Sequence, residues 1–143
     1  EPFLPTGGAE LELQRMATNA DAAVRLRALE TLAAVRALQP TALSVAYAAL
    51  RDPDAAVRAA AIQCLGDRGP DVSGAAPLLQ ELLRDPAASV RARAAWALGQ
   101  IAPEDPDVRA SLTNALEDAD FNVRTAARQA LRPKRARPEP GFP

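Results

Sequence analysis

At 143 residues with 48% hydrophobic side chains, the chain is long enough for one domain with a continuous core and too apolar to be disordered. A formal net charge of −1 argues against a nucleic-acid binder, no stretch reaches the roughly 18 apolar residues of a membrane span, and the lack of histidine removes the commonest general base and metal ligand. Aromatic residues make up only 3% while Ala and Leu dominate, which favours an all-helical stack over a sheet sandwich.

The predicted elements begin with Glu1 to Gly8, which contains Pro2, Pro5, Gly7 and Gly8 and reads as an N-terminal arm or linker. A short helix follows from Ala9 to about Ala17 through Leu11, Leu13 and Met16. Its partner runs from Asp21 to about Leu38, with Val24, Ala28, Leu32 and Val35 on one face. Pro40 ends that helix and Thr41 opens the next, because the residue before a proline is pushed out of the α region while Thr accepts free N–H groups. The second pair covers about 41–51 and 54–66, closed by Gly66 and Gly69, and residues 67–74 form a connecting loop. The third pair covers about 75–84, with Pro77 in its first turn, and 87–101, with Gly99 near its end. Asp105-Pro106 opens a fourth pair, about 106–117 and 120–131. All these glycines read as punctuation.

Residues 133–143 form a Pro/Arg-rich tail, which reads as a linker more readily than as a nucleic-acid arm. Arg132, Lys134, Arg135 and Arg137 against Glu139 make residues 132–143 locally +3, leaving −4 for residues 1–131. The single Cys64 excludes an internal disulfide. Because the first residue is Glu1 and no charged stretch leads into an apolar one, the chain reads as a mature or excised piece of something longer. The compartment stays open, with the cytoplasm favoured.

One seven-residue phrase organises the chain. It reads Asn19-Ala20-Asp21-Ala22-Ala23-Val24-Arg25, then Asp52-Pro53-Asp54-Ala55-Ala56-Val57-Arg58, then Asp85-Pro86-Ala87-Ala88-Ser89-Val90-Arg91, and last Asp118-Ala119-Asp120-Phe121-Asn122-Val123-Arg124. Its valines stand 33 residues apart (57−24, 90−57, 123−90), the signature of a stacked repeat protein. Leu50, Leu83 and Leu116 share one column, Leu32, Leu65, Leu98 and Leu131 a second, and Ala28, Ala61, Ala94 and Ala127 a third. The alanine column lets neighbouring helices approach closely.

The phrase from Asp52 to Gly66, nearly repeated from Asp85 to Gly99, resembles HEAT repeats, particularly the short bacterial phycobilisome-lyase-like kind, over residues 9–132. The resemblance implies an all-α, right-handed α-solenoid of about four antiparallel helix pairs, first helices on the convex outside and second helices on the concave inside. It also implies a ladder of ion pairs, in which Arg25, Arg58, Arg91 and Arg124 match the arginine, Asp52, Asp85 and Asp118 match the acid, and Asn19 departs from it. Arg128 and Arg132 depart too, standing where other copies have Leu29, Ile62 and Ala95, and Ala33, Gly66 and Gly99. Such a polar end suits a C-terminal cap and a monomer.

Between the valine and the leucine of the second helices fall Arg25, Arg27, Arg58, Arg91, Arg93, Arg124 and Arg128 against the one acid Glu30, a basic face that could hold an acidic peptide or a phosphate backbone. Four of the seven stand at the ladder offset, where a planar fork suits bidentate carboxylate pairing, so Arg27, Arg93 and Arg128 remain as a weak patch. Cys64 reads as a packed side chain with no histidine to activate it. The turn aspartates do not read as a metal cluster, and no Gly-rich phosphate loop or Cys-x-x-Cys is present. No catalytic residue, metal or cofactor is expected.

The most varied column faces away from the core, two and six residues after each valine: Leu26 and Glu30, Ala59 and Gln63, Ala92 and Trp96, Thr125 and Gln129. Trp96 has no aromatic counterpart in the other copies, and tryptophan is enriched at interface hot spots. The competing reading lays its ring flat over Arg93 or a neighbouring helix to fill a groove. The expected function is a non-catalytic scaffold that binds another protein or protein segment on the concave face of the solenoid, at a site centred on Trp96, with Gln63, Arg93 and Gln129, and extended by Leu26, Arg27 and Glu30. The alternative is a HEAT-type enzyme or accessory, bilin-lyase-like or a DNA-glycosylase-like nucleic-acid binder. Only four repeats weaken the first form, and a lone tryptophan weakens the second.

Overall fold

A computed structural model describes residues 6–34 and 40–134; the predicted arm at 1–5, the end of the second helix at 35–38 and the tail from 135 lie outside the described residues. All regular structure among the described residues is helical: α1 (Thr6–Ala17), α2 (Ala22–Ala34), α3 (Pro40–Ala49), α4 (Ala55–Gly66), a 3-10 turn (Gly69–Ala75), α5 (Ala76–Leu82), α6 (Ala88–Ile101), α7 (Pro106–Ala115) and α8 (Phe121–Leu131). The second helices start at residues 22, 55, 88 and 121, each 33 after the last.

The starts are set by the second acid of the turn phrase. Asp54 Oδ1 accepts the N–H groups of Ala56 at 2.8 Å and Val57 at 3.2 Å, and Asp120 repeats this with Asn122 and Val123 at the same distances. Asp21 accepts from Ala23, and Asp105 caps α7 in the same way. Each such cap satisfies N–H groups the helix cannot, an effect of about 1 kcal/mol. Ala87 replaces the acid before α6, which lacks a side-chain cap.

Besides shifts of one or two residues at other helix ends, three features differ from the sequence reading. α1 begins at Thr6 instead of Ala9, so Gly7 and Gly8 fall in its first turn, where few backbone bonds are at stake. α3 begins at Pro40 itself, because a proline at the first helical position gives up only an N–H that would be unpaired anyway. The expected loop at 67–74 is largely a 3-10 turn, drawn onto the stack by buried Val72 and Ala75. Gly69 makes the turn possible with φ of 61°, a left-handed conformation that L side chains rarely adopt.

The second helices form one row, α2 against α4, α4 against α6 and α6 against α8, with α1, α3, α5 and α7 packed on them. Ala28, Ala61, Ala94 and Ala127 are fully buried between the rows, beside Val57, Val90 and Val123. Leu65 and Leu98 are likewise enclosed, each worth about 1.5–3 kcal/mol on removal from water, while Leu131 at the end of the row is half-buried. Leu50 is buried, whereas Leu83 and Leu116 of the same column are half-buried. Leu29, Ile62 and Ala95 are buried against the following repeat, and in α8 their counterpart Arg128 is exposed. The stack therefore ends on a polar face.

Candidate partner-binding site

One edge of the stack is closed by a ladder. Arg25 grips Asp52 through Nε (2.7 Å) and Nη2 (2.9 Å), Arg58 grips Asp85 (2.8 and 2.9 Å), and Arg91 grips Asp118 (3.0 and 3.2 Å). The remaining prong, Nη1, is tied to its own turn: Arg58 Nη1 donates to the carbonyls of Asp52 (2.8 Å) and Pro53 (3.2 Å), and Arg25 and Arg91 do the same one repeat away. Each acid also takes the N–H two residues on, from Asp54, Ala87 and Asp120. The Arg25 guanidinium holds the Asp52 carboxyl below its ordinary value against the opposing effect of burial, and Arg91 does so for Asp118. With their forks occupied, these three arginines are withdrawn from anion binding.

The ladder stops at both ends. Asn19 takes the first acid's place, its Oδ1 accepting the Asp21 N–H at 2.9 Å. Arg124 still ties Nη1 to the carbonyls of Asp118 and Ala119, but among the described residues no carboxylate meets its other edge. Its guanidinium instead lies over the exposed ring of Phe121, 5.8 Å from the centroid.

On the outward stripe the predicted residues fall into two groups. Gln63 joins α4 to α6: its Nε2 donates to Asp67 at 2.9 Å and its Oε1 accepts from Arg93 Nη1. Trp96 is half-buried, its ring laid over Gly66 of α4 so closely that a β-carbon there would overlap the six-membered ring. Its surroundings also open into a cleft of about 330 Å³ between the C-terminal halves of α6 and α8, lined by Trp96, Gln100, Gln129, Arg132 and Lys134 with Gly99 and Ala130. Leu26 packs half-buried against the core, and Arg27 and Glu30 are exposed on α2; none of the three lines this cleft.

Two of the glycines read as punctuation, Gly66 and Gly99, are packing positions. Gly66 receives the indole, and Gly99 faces Ala130 so tightly that a β-carbon would stand 2.7 Å from the alanine Cβ and 2.9 Å from its Cα. Sequence reasoning missed Gln100 altogether and placed Arg132 and Lys134 in a cap and a tail. The 33-residue spacing of Gly66 and Gly99 was the available signal for close approach.

Two further clefts of about 480 Å³ lie between first helices. One, between α1 and α3, has Asp52 in its wall, and the other, between α5 and α7, has Asp118, with Gln80 Nε2 donating to Ser111 Oγ at 3.0 Å across it. Cys64 is buried, its Sγ directed at the Leu29 carbonyl at 3.2 Å, and burial with the nearby Asp67 charge pushes the thiol up to about 11. That is the setting of an inert packed thiol. Among the described residues no cluster of His, Cys, Asp or Glu is placed to hold a metal ion, and no helix is long and apolar enough to cross a membrane.

Solved structures with the same arrangement include the Escherichia coli protein YibA (26% identity, TM-score 0.72), an engineered protein (23%, 0.64), and the complex of CpcE and CpcF of phycocyanin lyase from Nostoc sp. PCC7120 (21%, 0.58). They cover 90%, 87% and 92% of this chain, which spans only 48%, 61% and 65% of theirs. No curated protein sequence matches significantly. The family model for HEAT repeats matches residues 9–87 and again 45–132, so with its paired helices and its arginine–aspartate ladder the chain belongs to the HEAT-repeat family.

Proposed function

We propose that the protein is a non-catalytic scaffold that holds a segment of another protein on the outward stripe of its second helices, at Trp96. The observation that carries this reading is the placement of the one tryptophan: Gly66 gives its ring a seat, and the residue stands in the wall of an open cleft that also contains Gln129. A large ring already fixed in position loses little conformational entropy on binding, the condition under which aromatic residues become hot spots. Gln63 and Arg93, bonded to each other across α4 and α6, stand outside the cleft's lining and would extend the site along the row of second helices. HEAT-repeat stacks in general present extended surfaces of this kind to other proteins.

The likeness to the CpcE and CpcF chains is compatible with a lyase-accessory role, but at 21% identity it speaks for the fold. A bilin-transfer assay addresses that reading directly. The scaffold reading is tested with Trp96→Ala, folding verified by circular dichroism, against the partner recovered by pull-down with the wild-type chain. The expected loss is ~2 kcal/mol or more of binding energy. A folded variant with undiminished affinity would end the proposal.

A further inference from the structure

We infer that the segment received by the cleft between α6 and α8 is acidic, its carboxylates meeting Arg132 and Lys134 while an apolar side chain rests against Trp96. This rests on the docking reading above and adds the chemistry of the partner. Around the indole stand two amides, Gln100 and Gln129, and two cations, Arg132 and Lys134, with no acid among the lining residues. None of these four side chains forms a hydrogen bond or ion pair within the described residues. Between α4 and α6, by contrast, polar side chains satisfy one another, Arg93 with Gln63 and Gln63 with Asp67. The two clefts between first helices each contain a carboxylate as well, Asp52 in one and both Glu81 and Asp118 in the other. Of these three clefts, the one at Trp96 is the one whose lining holds cations and no carboxylate.

The surrounding charge narrows the occupant. Residues 1–131 sum to −4, from 13 basic and 17 acidic side chains, so the cations of the cleft stand at the end of an acidic body. A long phosphate backbone leaving the cleft would run along that body and be repelled, whereas a short acidic stretch of polypeptide meets the cations and stops. A volume of about 330 Å³ admits a few side chains rather than a folded domain.

The experiment uses the full chain and the intrinsic fluorescence of Trp96, its sole tryptophan. Three short synthetic peptides of equal length, each with one phenylalanine flanked by glutamates, glutamines or lysines, are titrated at low salt, along with a single-stranded DNA oligonucleotide. The glutamate peptide is expected to change the emission saturably and to weaken as salt is added, with the glutamine and lysine peptides much weaker. Arg132→Glu with Lys134→Glu should reduce its affinity about ten-fold or more at an unchanged circular dichroism spectrum. Lys134→Gln, which lies beyond α8 and leaves the helix intact, should give a smaller loss in the same direction. A cation pair that serves only to cap α8 would lower the melting temperature of the variants and leave affinity alone. That result, equal binding of the glutamine peptide, no saturable response to the glutamate peptide, or tighter binding of the DNA would each overturn the inference. A pulled-down partner that needs Trp96 but ignores both salt and the charge reversal would remove the acidic chemistry and leave the docking site standing.

Discussion

At the scale of the residue, Arg58 and Arg124 separate the parts of a ladder rung. Arg58 holds buried Asp85 with two prongs and two carbonyls with the third, whereas Arg124 has the carbonyls and the Phe121 ring but no acid. Arg58→Ala leaves the Asp85 carboxylate buried without its charged donor and should lower stability by about 1–3 kcal/mol in urea unfolding. Arg124→Ala should cost clearly less. Equal losses would mean that the carbonyl bonds, and not the carboxylate, carry the rung. The pairing was legible because acid and arginine recur at one offset in a known family pattern. The division of labour inside Asp52-Pro53-Asp54, one acid for the ladder and one for the cap, was not, since residue type alone does not say which way a carboxylate turns.

At the scale of the element, the spacing of second helices is set by what is missing from them. Gly99 confronts the Ala130 backbone, and Gly66 confronts the far edge of a ring that can shift. Gly99→Ala should therefore be the more destabilising of the two, by the ~1–3 kcal/mol of an overpacked core, while Gly66→Ala should mainly displace the indole and shift Trp96 emission towards the red. Melting curves and emission spectra of the two variants decide it; a larger loss at Gly66 would show that the ring is the less yielding neighbour. Helix positions could be read from the repeat, whose turn phrase recurs intact. The 3-10 turn could not, because Gly69, Pro70 and Gly74 have loop composition and the burial of Val72 and Ala75 draws the segment in. Trp96 and Gln129 share a sequence column and were read together, but Gln100, Arg132 and Lys134 join them only through the packing of α6 on α8.

At the scale of the whole molecule, stability should be indifferent to pH where most proteins respond. The chain has no histidine, and its one thiol is pushed up to about 11. Asp52 and Asp118 have lowered folded values, so their contribution is complete above the ordinary carboxylate value of about 4 and is lost as pH falls through the lowered ones. Melting temperature should be flat between about pH 5 and 8 and drop on the acid side, with a shallower drop in Asp52→Asn combined with Asp118→Asn. A decline already between pH 7 and 5 would contradict this.

The ladder also makes length an inheritable variable. Each of the three ladder ion pairs spans 27 residues and joins one unit to the next. A duplication of residues 55–87 would carry Arg58 and Asp85 together, so each paired arginine of the lengthened chain would still find an aspartate 27 residues on, and one rung would be gained. The same copying error adds a groove between second helices. Growth by whole units thus needs no redesign at the junctions, and only the stripe that carries Trp96 has to change for the added groove to meet something new.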